Sequence, residues 1–183
     1  MKEKLKKTLS GKRYNHCMGV CDEAVKMAKK YGASEEKAYT AALLHDCAKG
    51  FDIDTQIKLC KEYGIELDDI TLKCPAVIHA PLGAVIAQKE YGICDEEILE
   101  AIRVHTVGKE NMSLLDKIIY IADMIEPNRD FKGVDELRKK AYEDINTAFI
   151  ASLKQSIVFN AKKNKIIHPD TISAWNYILG DTK

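Results

Sequence analysis

The sequence has no net charge: 28 lysines and arginines balance 28 aspartates and glutamates over 183 residues. A chain without a basic field is not expected to hold nucleic acid or to lean on an anionic membrane, so any polyanion it binds must be met by local charges or by a metal. Long hydrophobic runs are missing too. None approaches the roughly 20 apolar residues that span a bilayer. The positively charged start, MKEKLKKTLSGKR, has no apolar stretch of the signal-peptide kind behind it, so a cytoplasmic protein is expected. The six cysteines, at 17, 21, 47, 60, 74 and 94, include no CxxC pair. That argues against a thiolate zinc site and for reduced thiols serving as small core residues. Alternation of period two, internal repeats and low-complexity linkers are absent as well, which disfavours sheets and solenoids. Without a Walker A or GxGxxG sequence, a P-loop or Rossmann mode of nucleotide binding has no support.

What is present is helix nearly throughout. Cys17, Val20, Cys21, Ala24, Ala28 and Tyr31 recur at three- and four-residue spacing and stop at Gly32, which predicts an amphipathic helix over 12–31. Ser34 opens the next helix, with Glu35 and Glu36 in its first turn, running to Asp46 or Cys47. A shorter helix is expected over 54–63, then a loop, one turn at 75–79, and a helix from Pro81 to Gly92. Asp95 caps a segment carrying Ile98, Ile102 and His105. Ser113 caps another with Leu115, Ile118, Ile119 and Ala122 as its stripe, ended by Pro127. Helices over 135–142 and 144–163 follow, and Pro169 starts a last one with Ile172, Trp175 and Leu179. The expected architecture is all-α, a single domain over 1–183.

On this map certain polar residues are oddly placed. His45-Asp46 ends the apolar run of AALLHDCAKG, where a soluble helix would put Leu or Ala. Imidazole and carboxylate are common ligands of a borderline divalent metal. The plain alternative is a helix C-terminus, with His45 and Lys49 complementing the dipole and Gly50 supplying a left-handed residue. His16 flanks the first helix's stripe, His79 precedes Pro81, and His105 ends a helix. Each could be a satisfied core or capping histidine. Asp123, inside IIYIADMI, is harder to dismiss, because an unpartnered polar group there costs on the order of 2–7 kcal/mol.

The order His16, His45-Asp46, Asp123 resembles the H…HD…D pattern of the HD-domain metal-dependent phosphohydrolases. RYNHCMGV, ALLHDCAKG, HAPLGAVIA, IRVHTVG, IADMIEPNRDF and IHPDTISAWN are similar to the motifs of its YqeK-like branch, the symmetrical bis(5'-nucleosyl)-tetraphosphatases, over essentially the whole chain. The resemblance implies hydrolysis of diadenosine tetraphosphate to two ADP by a metal-activated water, with iron or a similar divalent transition metal, one or two per chain. It implies His16, His45, Asp46 and Asp123 as metal ligands. His79 and His105 would either hold a second metal bridged by Asp46 or contact phosphates and help the leaving ADP depart. Asp46, Lys49, His79 and His105 would be the catalytic set. His16, Asp123, Thr106, Arg129 and the turn made by Ile167, His168, Pro169, Asp170 and Thr171 would join them in contact with substrate, the turn through free N–H groups at a helix start. His168 is the weakest of these, since His-Pro is also an ordinary entry turn. The implied partners are a nucleotide substrate and an ADP- or GDP-type product, with no nucleic acid and no membrane; a homodimer is compatible with the resemblance. Other readings are a different HD-type nucleotide phosphohydrolase or phosphodiesterase, or a metal- and nucleotide-binding sensor without turnover. The presence of both Lys49 and Arg129 favours catalysis. Paired-carboxylate glycosidase chemistry would leave the histidines idle, and a Cys47 nucleophile would leave His16 and Asp123 idle.

Overall fold

The structure is a computed structural model and describes residues 1–181. Eleven α-helices and no strand are found among the described residues. The chain opens with α1 (Lys2–Thr8) and the long α2 (Gly11–Tyr31), followed by α3 (Glu35–Leu44), α4 (Ile53–Glu62) and the short α5 (Asp69–Lys73). Then come α6 (His79–Tyr91), α7 (Glu96–Val104), α8 (Leu114–Ile125), α9 (Val134–Ala141), α10 (Ile145–Lys162) and α11 (Pro169–Asp181). None is long and apolar enough to cross a membrane.

Side chains that favour caps start these helices. The hydroxyls of Ser10 and Ser34 and the carboxylates of Asp52, Asp68, Asp95 and Asp144 each accept an otherwise orphaned backbone N–H of the first turn. Ser113 and Asp116 do so reciprocally at α8. Gly32 and Gly92 end α2 and α6 in the left-handed conformation that glycine adopts without a Cβ penalty.

The apolar faces then decide the packing. α2 lies along α3 and against α8, α7 bridges α6 and α8, and α10 closes the far side against α8, α9 and α11. Val20, Ala24, Met27, Leu43, Leu44, Ile102, Ile118, Ile119 and Phe149 are among the fully buried side chains at these contacts. Tyr31 donates to the Ala141 carbonyl at 2.8 Å and Tyr142 donates to Glu23 at 2.7 Å, which pins α9 to α2. All six cysteines are free, and Cys17, Cys21, Cys47 and Cys60 are buried.

Four local features differ from the sequence reading. α1 is a helix among lysines, held by Leu5, which is fully buried. α5 forms where a loop is expected. α6 begins at His79, so Pro81 sits inside its first turn, where a missing N–H costs nothing. α3 stops at Leu44 and the chain leaves helical geometry at Asp46 (φ −106°, ψ 16°) before a tight 3-10 turn, Cys47–Gly50. Gly50 is not left-handed. It is glycine because a Cβ there would run into the Thr8 carbonyl oxygen at the end of α1.

Candidate metal centre

Five helices deliver six side chains to one place. His16 comes from the second turn of α2, and His45 and Asp46 from the end of α3. His79 starts α6, His105 follows α7, and Asp123 lies in the last turn of α8. The four imidazoles and Asp46 are buried. Their rings run edge to face, His16 to His45 at 5.4 Å, His45 to His105 at 5.0 Å and His105 to His79 at 5.0 Å between centroids.

The ring hydrogens are fixed by the backbone. Nδ1 of His45, His79 and His105 lies 2.7, 2.8 and 2.7 Å from the carbonyl oxygens of Ala42, Ala76 and Ile102, each three residues earlier. A carbonyl can only accept, so Nδ1 carries the hydrogen and a neutral ring presents a bare lone pair at Nε2. His16 is held in the same sense, its Nδ1 donating to Glu126 at 3.1 Å.

The neutral rings of His79 and His105 therefore turn a bare Nε2 toward Asp46, and the Nε2 atoms of His16 and His45 face the two carboxylates as well. Nε2 of His79 and of His105 are 3.1 Å apart. Asp46 Oδ1 lies 3.1 Å from the first and 3.8 Å from the second, while its Oδ2 lies 3.4 Å from His45 Nε2 and 3.7 Å from His16 Nε2. Asp123 Oδ1 is 2.9 Å from His16 Nε2, without the alignment of a hydrogen bond, and Nε2 of both His16 and His45 is buried with no hydrogen-bond partner among the described residues. Buried polar atoms are rarely left so. Imidazole nitrogens and carboxylate oxygens gathered in this way form a donor set that suits divalent metal ions.

Two ligand triads emerge, each with atoms within 4.8 Å of one another: His16, His45 and Asp123, and Asp46, His79 and His105. Asp46 reaches toward both. A third grouping replaces imidazole with Cys17 beside His45 and Asp46, but burial pushes that thiol's pKa up and keeps it protonated, a poor ligand.

Burial governs the charges here, modified by the neighbours. It pushes His105 down to about 3 and lowers His79 despite the Asp46 carboxylate, so both are neutral at pH 7. Burial also opposes charge on His45, but Asp46 overrides it and raises that pKa. For Asp46 and Asp123 burial acts upward, yet His45 for the first and His16 for the second hold the carboxyls below their ordinary range. A stability profile follows for the metal-free protein. Histidines of the unfolded chain take up protons below about pH 6.5, while folded His105 does so only near 3 and folded His79 only below its ordinary value. The unfolded state then binds more protons, so stability falls as pH drops from 6.5 toward 3. Melting temperatures across that window should decline, and His105→Gln should flatten the decline.

Supporting residues surround the cluster. Arg13 Nη1 donates to Asp46 Oδ2 at 2.8 Å, and Arg129 grips Asp123 through both the carboxylate, at 2.5 Å, and the main-chain carbonyl, at 2.7 Å. Glu126 also accepts from Asn128 and packs on Gly19, where a Cβ would stand 2.6 Å from its Oε2. Sequence reasoning missed Arg13 and Glu126. Each stands one helical turn from a proposed ligand (Arg13 before His16, Glu126 after Asp123), a spacing that gains meaning only once the partner on another helix is known. Removing the group that orients a ligand imidazole typically costs 10–100-fold in metal affinity. Glu126→Ala is expected to lose about that much, read by metal titration of the stripped protein, and Gly19→Ala should act in the same direction by displacing Glu126.

Lys49 Nζ reaches the Ala76 carbonyl at 3.4 Å, the same oxygen that fixes His79, and burial lowers its pKa against the pull of Asp46. Thr106 lines a cavity of about 350 Å³ with His105, Asp123, Arg129, Phe131 and Phe159, and its buried hydroxyl has no partner among the described residues. Ile167, His168, Pro169, Asp170 and Thr171 do not line that cavity. The N–H groups of Asp170 and Thr171 are bonded to the ring and carbonyl of His168, whose Nε2 meets Thr71. The free amides expected at the start of α11 are thus already engaged.

Comparison with known proteins agrees with this geometry. The symmetrical bis(5'-nucleosyl)-tetraphosphatase of Halalkalibacterium halodurans is 45% identical over 98% of this chain and 95% of its own, and that of Bacillus subtilis 44% over 96% and 94%. A crystal structure described as a predicted HD superfamily hydrolase involved in NAD metabolism, from Clostridium acetobutylicum, superposes with a TM-score of 0.96 at 46% identity, covering 98% of this chain and 95% of that one. The HD domain family model matches residues 13–128, a span that holds the four histidines and two aspartates of the cluster, and the chain belongs to the HD domain family.

Proposed function

We propose that this protein hydrolyses diadenosine tetraphosphate symmetrically, giving two ADP, with His16, His45, Asp46 and Asp123 holding one divalent metal and Asp46, His79 and His105 a second. The observation that carries the two-metal reading is the pair of lone pairs on His79 and His105, 3.1 Å apart beside Asp46, which no hydrogen of either ring can bridge. Imidazole and carboxylate ligands suit iron or a similar transition metal. Such metals supply Lewis acidity, polarising a phosphoryl oxygen and acidifying water toward neutral pH.

The chain's own groups do the rest. Water adds to one inner phosphorus, the bond from that phosphorus to the central bridging oxygen breaks, and the second ADP departs. Lys49, half-buried at the rim, places an ammonium where negative charge grows on the transferred phosphoryl group. Arg129 offers a guanidinium and Thr106 an unpartnered hydroxyl to the phosphate chain, and the apolar wall of Phe131 and Phe159 suits a base. The symmetrical bis(5'-nucleosyl)-tetraphosphatase activity named for the two relatives supports this substrate class. Six scattered cysteines with no CxxC pair suit a reducing, cytoplasmic setting.

The test is turnover by metal-loaded protein on a panel of mononucleotides, cyclic nucleotides and dinucleoside polyphosphates. Diadenosine tetraphosphate should be the preferred substrate and ADP its nucleotide product. Turnover of a cyclic or mononucleotide alone would instead make it another kind of HD phosphohydrolase, and no turnover by correctly metallated protein would make it a sensor.

A further inference from the structure

A substrate cut at its midpoint needs room for a nucleotide on both sides of the reacting phosphorus. The cavity of Thr106, Phe131 and Phe159 provides one side. A second cleft, of about 760 Å³, reaches the cluster at His16 and is lined by Ser10, Lys12, Arg13, Asn15, Asn128 and Asp130. The two share Arg129 and Phe131, so a chain of phosphates crossing Arg129 passes from one into the other. Both volumes fall in the roughly 300–1,000 Å³ range of small-molecule sites.

The chemistry of the second cleft differs from the first. Arg13 pairs with Asp46 and Arg129 holds Asp123 through Nε and Nη2, while Lys12 is an exposed cation with no ion pair among the described residues, one turn before Asn15 on the same face of α2. Asn128 donates from its side-chain amide to Glu126 at 2.9 Å and is exposed, as is Asp130 beside it. Lysine suits a phosphate, while amide and carboxylate oxygens suit the hydroxyls of a ribose.

We propose that the cleft of Lys12, Asn15, Asn128 and Asp130 binds the second nucleotide half of the dinucleoside tetraphosphate, opposite the half seated between Phe131 and Phe159. This rests on the function proposed above. Equilibrium binding to metal-loaded protein tests it with two ligands: ADP, and a diadenosine tetraphosphate analogue whose central bridging oxygen is a methylene. Wild-type protein should bind the analogue more tightly than ADP and take up two ADP per chain. Lys12→Glu and Asn15→Leu, both on an exposed helix face, should weaken the analogue by about tenfold each. They should also reduce ADP uptake to one per chain, with that remaining site unchanged. Variants that bind the analogue as wild type does, or that weaken the remaining ADP equally, overturn the second-half site while leaving the function standing. Wild-type protein that does not bind the analogue overturns both.

Discussion

Replacing Asp46 with Ala should abolish hydrolysis, lowering kcat by at least about 1,000-fold, the scale on which loss of one electrostatic stabiliser registers in acyl and phosphoryl transfer. Its two oxygens face different partners, Oδ1 toward His79 and His105 and Oδ2 toward Arg13, His45 and His16, so no neighbour can stand in for it. Truncation would also leave Arg13 without its carboxylate beside four imidazoles, adding positive charge where cations must bind. Steady-state kinetics and metal content on the same sample check this. Asp46→Asn, which keeps the shape, separates charge from volume. A variant that keeps wild-type kcat would remove Asp46 from the reaction.

Asp123→Ala should release the metal held with His16 and His45, weakening its binding by at least about 100-fold, since a direct ligand is worth no less than the groups that orient one. The expected loss is amplified by Arg129. In the intact protein its guanidinium is neutralised by the Asp123 carboxylate at 2.5 Å. Without that partner it becomes a fixed cation at the rim of the site. Elemental analysis of the purified variant reads the outcome, and full occupancy would exclude Asp123 from the ligands. His168→Ala should leave metal content unchanged, because that ring is committed to Asp170 and Thr71.

The helices that position this centre were legible where apolar periodicity and a capping side chain coincide. α2 shows its stripe from Cys17 to Ala28, and α7 and α8 start at Asp95 and Ser113 as the sequence indicates. α1 was not, because Leu5 is a single apolar anchor among lysines and shows no period. His45, Asp46 and Asp123 stand out as polar side chains inside apolar runs, whereas His16, His79 and His105 read equally as core or capping histidines, and the gathering of all six was anticipated through the resemblance to the HD pattern. Arg13 and Glu126 could not be anticipated, since a charged residue on a helix reads as solvated until its partner from another helix is known. Gly50 shows the same limit: its need for a hydrogen in place of a side chain comes from Thr8, far away in sequence. At α11 the outcome turned on a ring orientation, since His168 folds back onto the amide that sequence left free.

The most direct measurement is hydrolysis of diadenosine tetraphosphate by metal-loaded protein in oxygen-18 water, with products resolved by mass spectrometry. Attack of water on an inner phosphorus with cleavage of its bond to the central bridging oxygen predicts ADP as the sole nucleotide product, one of every two molecules carrying a single heavy oxygen on its terminal phosphate. AMP and ATP in equal amounts, with the label on either, would contradict it.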